Sequence, residues 1–136
     1  MNKRMRFGAY GVYEKWGKVL LSQKKSGPFV GAWCLPGGAI EFGETPEITL
    51  KREFLEEVCL EIGKWEFKSI VTALGDYDEA SQEPSLHQTG VIFSVLDAKE
   101  VPDRVPEEVS AWFDLKSLAG VHLTPLSRTV FQVESI

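Results

Sequence analysis

Residues 37–60 constrain the fold of this chain more than any other stretch. Two glycines open the stretch and a clear helix start follows. There the hydroxyl of Thr45 can cap the first turn, and Pro46 takes the first helical position, where its missing N–H costs nothing. Apolar residues then recur at helical spacing with no interrupting proline or glycine. The stretch therefore predicts a turn followed by an amphipathic helix.

Three glutamates crowd the far end of this helix. Glu53, Glu56 and Glu57 stand at i, i+3 and i+4 and share one helix face. Each close pair costs about 3 kcal/mol at roughly 5–6 Å near a protein surface, and Arg52 is a single balancing charge. A divalent cation would offset the repulsion, and clustered carboxylates suit Mg²⁺ or Mn²⁺ better than Zn²⁺. On the glutamates alone, a solvated acidic helix face explains the pattern at least as well.

The spacing of the whole stretch resembles the Nudix box. That pattern is a glycine, a glutamate, and then Arg-Glu-apolar-x-Glu-Glu-x-Gly-apolar. Residues 38–60 match it at every charged position, with Gly38, then Glu44, then the run Arg52-Glu53-Phe54-Leu55-Glu56-Glu57. The preceding residues 33–37 are similar to the usual approach to the box. Five charged residues at fixed spacing make this a specific resemblance.

Two positions depart from the pattern. Phe54 occupies the aliphatic position after Arg-Glu, and Cys59 stands where the family has glycine. Helices commonly end on a residue of positive φ, and a cysteine in that conformation costs roughly 1–2 kcal/mol. An altered helix exit is therefore expected, which concerns the backbone near Cys59 and not the glutamates.

The resemblance implies an α/β fold, a Nudix-type α/β/α sandwich with a mixed β-sheet between helices. It also implies a pyrophosphohydrolase, which cleaves a diphosphate linkage in a nucleoside diphosphate joined to another moiety with the help of a metal. The substrate stays open among nucleoside triphosphates, dinucleoside polyphosphates, ADP-ribose and nucleotide sugars. Residues 16, 29 and 33 are aromatic and could stack on a nucleobase, or belong to the core or a turn.

The site residues follow from the same resemblance. Mg²⁺ or Mn²⁺ would be held by Glu53, Glu56, Glu57 and the carbonyl of Gly37. Arg52 would hold the glutamates in place through ion pairs, and Glu44 would have a supporting or secondary metal role. The general base would be one of these glutamates or an acid from a later loop. Among the loop acids, Glu107 or Glu108 is favoured over an acid in residues 76–83.

Two other classes of protein remain open. A non-catalytic nucleotide-binding module could keep the fold without cleaving its ligand, and a structural domain could carry a merely solvated acidic helix. The intact set of Glu53, Glu56 and Glu57 favours an enzyme, because a chain that only binds has no evident need for all three.

Composition sets the remaining bounds. A length of 136 residues with 43% hydrophobic content fits a single domain over residues 1–136. The net charge of −5 disfavours a nucleic-acid partner. No signal peptide or membrane-length apolar run is evident, and the two cysteines lack metal or redox spacing, so a cytoplasmic protein with no membrane partner is expected. By resemblance, a homodimer is possible.

The rest of the chain reads mainly as strands. Residues 89–96 are apolar on both faces, which predicts a central strand covered by helices on either side. Thr124 and Pro125 repeat the cap-and-proline signal and predict a helix over residues 126–133. Residues 24–28 and 75–86 read as loops. The first could reach a phosphate through its lysines, although lysines on loops are usually solvated. Further strands are expected at residues 6–13, 19–23, 33–35, 64–74 and 109–115.

Overall fold

The computed structural model describes residues 3–77 and 84–133. In chain order these ranges form β1 (Arg4–Lys15), β2 (Lys18–Gln23), β3 (Trp33–Cys34), β4 (Gly37–Ala39), α1 (Pro46–Val58), β5 (Leu60–Tyr77), β6 (Pro84–Glu100), β7 (Ser110–Asp114), a 3₁₀ helix (Leu115–Gly120) and α2 (Pro125–Phe131). No helix in these ranges has both the length and the apolar character needed to cross a membrane.

The strands form a mixed sheet in the order β3-β2-β1-β6-β5. The central pair, β1 and β6, is parallel, whereas β5 pairs antiparallel with β6. Two short strands extend the arrangement, because β4 pairs with β1 and β7 pairs with β2. This topology confirms the mixed sheet that the sequence predicts.

The two α-helices cover opposite faces of the sheet. Neighbouring residues of a strand point to opposite faces, and Phe93 of β6 packs with Phe54 of α1 while Ile92 packs with Leu126 of α2. All four side chains are buried. The predicted central strand covered on both sides is confirmed, and so is the α/β/α layering.

Helix α1 begins as predicted but ends differently. The Thr45 hydroxyl accepts a hydrogen bond from the Ile48 N–H at 3.3 Å, and Pro46 opens the helix. The expected altered exit is wrong, because Cys59 lies in the left-handed region at φ 57° and ψ 38°. The next residue enters β5 at once, and the Cys59 carbonyl accepts from the Val101 N–H at 3.0 Å, so pairing with the far end of β6 fixes the exit.

Two segments predicted as turn or loop are strands. Residues 37–39 form β4 against β1, and a Cβ on Gly37 would lie 2.2 Å from the Ala9 carbonyl oxygen, so only glycine permits this approach. The predicted loop over residues 75–86 is shorter, because the β5–β6 pairing continues to Tyr77 and Pro84. Residues 78–83, with the candidate acids among them, lie outside the described residues.

The chain's other predicted elements are confirmed with small shifts of their bounds. The Thr124 hydroxyl caps α2 by accepting from the Ser127 N–H at 3.4 Å. Strand β6 runs on to Glu100, beyond the predicted end of the central strand at residue 96, and a loop then leads to β7. The loop's backbone then returns to the end of α1, where the Glu107 N–H donates to the Glu56 carbonyl at 3.0 Å. This contact brings a distant part of the sequence to the acidic helix.

Candidate active site

A cleft of about 310 Å³ lies where α1, β1, β4 and the loop after β2 meet. Glu53 and Glu57 of α1 line it together with Gly37 and Gly38 of β4. Other lining residues are Arg6, Phe7, Tyr10, Lys24, Phe29 and Gln88. Acidic, cationic and aromatic side chains therefore face one small space.

Glu57 is the most deeply placed carboxylate of the helix, with only 6% of its surface exposed. Its Oε1 accepts hydrogen bonds from the Ser22 hydroxyl and from the Gly37 N–H, each at 3.3 Å. Burial, the hydrogen-bonded carboxyl of Glu53 and the charge of Glu108 together raise the pKa of Glu57 from 4.5 to about 9. The carboxyl groups of Glu53 and Glu57 thus lie where two negative charges would repel each other. A proton or a bound cation would remove this repulsion.

Arg52 organises the other side of the helix. Its guanidinium donates to Glu53 Oε1 at 2.6 Å and to Glu56 Oε2 at 3.3 Å. It also makes a two-pronged contact with Glu44, at 2.7 Å from Nε and 2.9 Å from Nη2. Arg52 therefore contacts three of the predicted glutamates, and among the hydrogen bonds and ion pairs of the described residues none joins it to Glu57.

Glu44 is held on several sides. Besides Arg52, it accepts from the Thr49 hydroxyl at 2.8 Å and from the Glu41 N–H at 3.1 Å. The Arg52 hydrogen bonds are the main cause that lowers the pKa of Glu44 from 4.5 to about 2. The carboxylate oxygens of Glu44 thus bind Arg52. This fits a supporting role for Glu44 better than a secondary role as a metal ligand.

Gly38 leaves room for the Glu53 carboxylate. A Cβ at this position would lie 2.7 Å from Glu53 Cδ and 2.9 Å from both carboxylate oxygens. Any side chain would therefore displace either the carboxylate or β4. The box glycine has a local physical reason in this chain, which is the close approach of a strand backbone to a carboxylate.

The late-loop acids lie in different surroundings. Glu107 is exposed, whereas the Glu108 side chain is only 7% exposed and its Oε2 lies 3.7 Å from Lys24 Nζ. Among the described residues, Glu108 Oε1 is buried without any hydrogen-bond partner. Glu108 is not one of the residues that line the cleft, although its neighbours Lys24 and Glu57 both are.

The predicted metal ligands are only partly brought together. Glu53 and Glu57 meet in the cleft, whereas Glu56 is 34% exposed and turns to Arg52. Within the described ranges, no three His, Cys, Asp or Glu side chains already form a group that could hold a metal ion. The donors nonetheless fit a hard cation, because paired carboxyl oxygens and an unpartnered buried oxygen beside them are the ligand type that Mg²⁺ and Mn²⁺ prefer.

Sequence reasoning missed several residues of the cleft. For Lys24 the sequence favours a solvated loop lysine over one that reaches a phosphate, but Lys24 lines the cleft and pairs with Glu108. Tyr10 is buried beneath the cleft and accepts a hydrogen bond from Gln88 Nε2 at 2.9 Å. Nothing in the local sequence around these residues signals the site, because each comes from a different strand or loop.

The three aromatic residues that could stack on a nucleobase lie in different surroundings. Trp16 is 90% exposed at the tip of the first hairpin. Trp33 packs edge-on against Phe113, with 4.8 Å between the two ring centroids. Phe29 lines the cleft and also a neighbouring cavity of about 830 Å³ beside α2. Phe29 is therefore the aromatic side chain of the three that is positioned to face a ligand.

Comparison with known proteins gives concordant matches. A family model described as the NUDIX domain matches residues 2–132. An ADP-ribose pyrophosphatase of Methanocaldococcus jannaschii is 32% identical over 126 residues, covering 93% of this chain and 67% of that protein. The nucleoside triphosphatase NudI of an Enterobacter species is 29% identical over 123 residues, covering 85% of this chain and 86% of that protein. The crystal structure of a MutT NUDIX hydrolase from Burkholderia pseudomallei superposes with a TM-score of 0.77 at 26% identity, covering 98% and 100%.

Proposed function

The chain belongs to the NUDIX family of hydrolases, and from that premise we propose that it cleaves a diphosphate linkage in a nucleoside diphosphate joined to another moiety. The observation that carries the proposal is the cleft where Glu53 and Glu57 meet beside Lys24. Two carboxyl groups that line one cleft, one of them buried, are ligands for a divalent cation, and that cation would supply the positive charge that a phosphoanhydride needs.

The chain's own residues divide the work in this proposal. Arg52 holds Glu53 and Glu56 through short ion pairs, and Glu44 in turn holds Arg52. Ser22 and the Gly37 N–H fix the carboxyl of Glu57. The carboxyl groups of Glu53 and Glu57 are thereby oriented in the cleft before substrate binds.

Glu53, Glu57 and the Gly37 carbonyl would hold the cation, with Glu56 joining when it leaves Arg52. Nudix hydrolases generally need a divalent metal, and we propose Mg²⁺ or Mn²⁺ because the donors are hard oxygens. When bound, the cation supplies neutralisation of the phosphate charge and a lower pKa for the attacking water.

Glu108 is our candidate for the general base. Its buried and unpartnered Oε1 supports the assignment, because a carboxylate oxygen without a donor can accept a proton from water. Glu107, the other acid that the sequence favours, is exposed, and its backbone N–H donates to the Glu56 carbonyl of α1. Glu108 does not line the cleft itself but neighbours Lys24 and Glu57, which both do, and the hydrogen bonds of catalytic groups are often long before substrate binds.

The moieties on either side of the diphosphate remain to be identified. The cleft of about 310 Å³ shares Phe29 and Thr124 with the cavity of about 830 Å³, so the two spaces adjoin. Together they offer room of the size that binds small-molecule ligands, with Phe29 between them as a surface on which a base can stack. This arrangement supports a nucleoside-containing substrate without choosing among the four classes.

The experiment is a hydrolysis panel. Nucleoside triphosphates, dinucleoside polyphosphates, ADP-ribose and nucleotide sugars are each incubated with Mg²⁺, with Mn²⁺ and with chelator, and phosphate is measured after a coupled phosphatase where the product requires it. Metal-dependent release from at least one class supports the proposal and names the substrate. Metal-dependent thermal stabilisation by nucleotides without any release would instead support a non-catalytic binding module.

The proposal also includes the domain, the compartment and the oligomeric state of the enzyme. The match over residues 2–132 supports one NUDIX domain as the functional unit. The two free cysteines support a reducing compartment, and we propose the cytoplasm. Homodimer formation stays a prediction, which light scattering of the purified chain would test.

A further inference from the structure

Lys24 and Glu108 form an ion pair beside the acidic cleft. Lys24 Nζ lies 3.7 Å from Glu108 Oε2, and the two side chains are 32% and 7% exposed. The pair joins the residue after β2 to the loop before β7, two segments that are far apart in the sequence. It therefore exists only in the folded chain.

The backbone on both sides of this pair is fixed. Beside Lys24, the Gln23 N–H donates to the Val109 carbonyl at 2.8 Å, which ties the end of β2 to the loop that carries Glu108. The Lys24 N–H itself donates to the Ala32 carbonyl at 2.8 Å. On the other side, the Glu108 N–H approaches the Glu57 carbonyl at 3.5 Å. The two side chains thus start from anchored backbone positions.

The groups around Lys24 favour its protonated form in a partly buried place. Burial opposes the charge of Lys24, but nearby Cys34, Glu57 and Glu108 outweigh it and raise the lysine's pKa. Glu108 has no other cation among the ion pairs of the described residues, and its Oε1 has no hydrogen-bond partner there. One oxygen is therefore held by the ion pair, while the other is buried and has no hydrogen-bond donor.

We propose that Lys24 is a positioning residue, which holds Glu108 by its Oε2 beside Glu57 and leaves the unpartnered Oε1 as the atom that takes the proton of the reacting water. The inference rests on the proposed function and adds to it the residue that controls the candidate base. The competing role for Lys24 is direct contact with a substrate phosphate, since its side chain also lines the cleft. The two roles make opposite predictions for a double variant.

The test is a double-mutant cycle of Lys24→Met, Glu108→Gln and the combined variant, measured as kcat and KM on the substrate that the panel identifies. We expect Glu108→Gln to lower kcat by about 100-fold, as loss of a general base does. Lys24→Met should lower kcat by roughly 10- to 100-fold, the usual cost of losing a residue that orients a reacting group, with KM little changed. The combined variant should be no slower than Glu108→Gln alone, because Lys24 then has nothing to hold.

Independent effects would overturn the proposal. If the two losses multiply in the combined variant, or if Lys24→Met chiefly raises KM, Lys24 acts on the substrate itself. A Glu108→Gln variant with normal kcat would also overturn it. Lys24→Arg should recover most of kcat because it keeps the charge, and Lys25→Met is the matched control, since this neighbouring lysine is exposed and should leave both constants unchanged.

Thermal unfolding of the same variants in chelator gives a readout that needs no substrate. Lys24→Met should lower Tm in the wild-type background, where it leaves Glu108 buried without its cation, and much less in the E108Q background. Equal shifts in both backgrounds would overturn the pairing. If wild type cleaves none of the panel, the proposed function fails along with the kinetic role, while this comparison still decides whether Lys24 fixes Glu108.

Discussion

Replacement of Cys59 by glycine is predicted to stabilise the protein. Cys59 ends α1 at φ 57° and ψ 38°, close to the ideal left-handed conformation, which costs a residue with a Cβ roughly 1–2 kcal/mol. Glycine removes that cost but gains about 0.5–1 kcal/mol of conformational entropy in the unfolded chain. The expected net gain is about 0.5–1 kcal/mol, equivalent to a rise in Tm of roughly 2–4 °C.

Urea unfolding followed by tryptophan fluorescence measures this gain as a shift in the midpoint at unchanged slope. Cys59→Ala is the matched control, because alanine loses the thiol but keeps the Cβ and its strain. We expect Cys59→Ala to be no more stable than wild type. If Cys59→Ala and Cys59→Gly were equally stable, the backbone explanation would be refuted and the effect would belong to the thiol.

Three further predictions concern the site. Gly38→Ala should fold but lose most turnover, because the new Cβ would lie 2.7 Å from Glu53 Cδ, and circular dichroism with a kinetic assay would show both. The low pKa of Glu44 stabilises the fold above pH 4.5, and this stability should be lost as the pH falls towards about 2, so acid titration of Glu44→Gln should show a shallower loss than wild type. Phe29→Ala should raise KM by roughly 5- to 150-fold with kcat nearly unchanged, since a stacking contact contributes about 1–3 kcal/mol per base. An unchanged KM would remove Phe29 from the substrate site.

The elements with strong local signals are those that the sequence predicts best. Thr45 and Pro46 determine the start of α1 through contacts within one turn, and Thr124 and Pro125 do the same for α2. The two apolar faces of residues 89–96 likewise predict a strand covered by both helices. In each case the deciding interactions lie within a few residues or follow from one periodicity.

The features that sequence reasoning missed depend on distant partners. The exit at Cys59 is set by pairing of β5 with the far end of β6, which outweighs the local preference for glycine. Strand β4 forms because its backbone pairs with β1, and Gly37 is one of the paired residues. The role of Lys24 becomes visible only when Glu108 is seen beside it, because a loop lysine alone is usually solvated. The spacing of the glutamates singles them out as site residues. It does not predict which of the glutamates is buried.

The most direct test of the central claim is turnover by the Glu57→Gln variant on the identified substrate at saturating Mg²⁺. Glu47→Gln is the matched control, since Glu47 lies on the same helix but is exposed. If the buried carboxyl of Glu57 serves the metal-dependent reaction, Glu57→Gln should lose most of the turnover while it stays folded. Glu56→Gln should also be strongly impaired. Glu47→Gln should turn over substrate as fast as wild type. Near-normal turnover in both Glu56→Gln and Glu57→Gln would contradict the account.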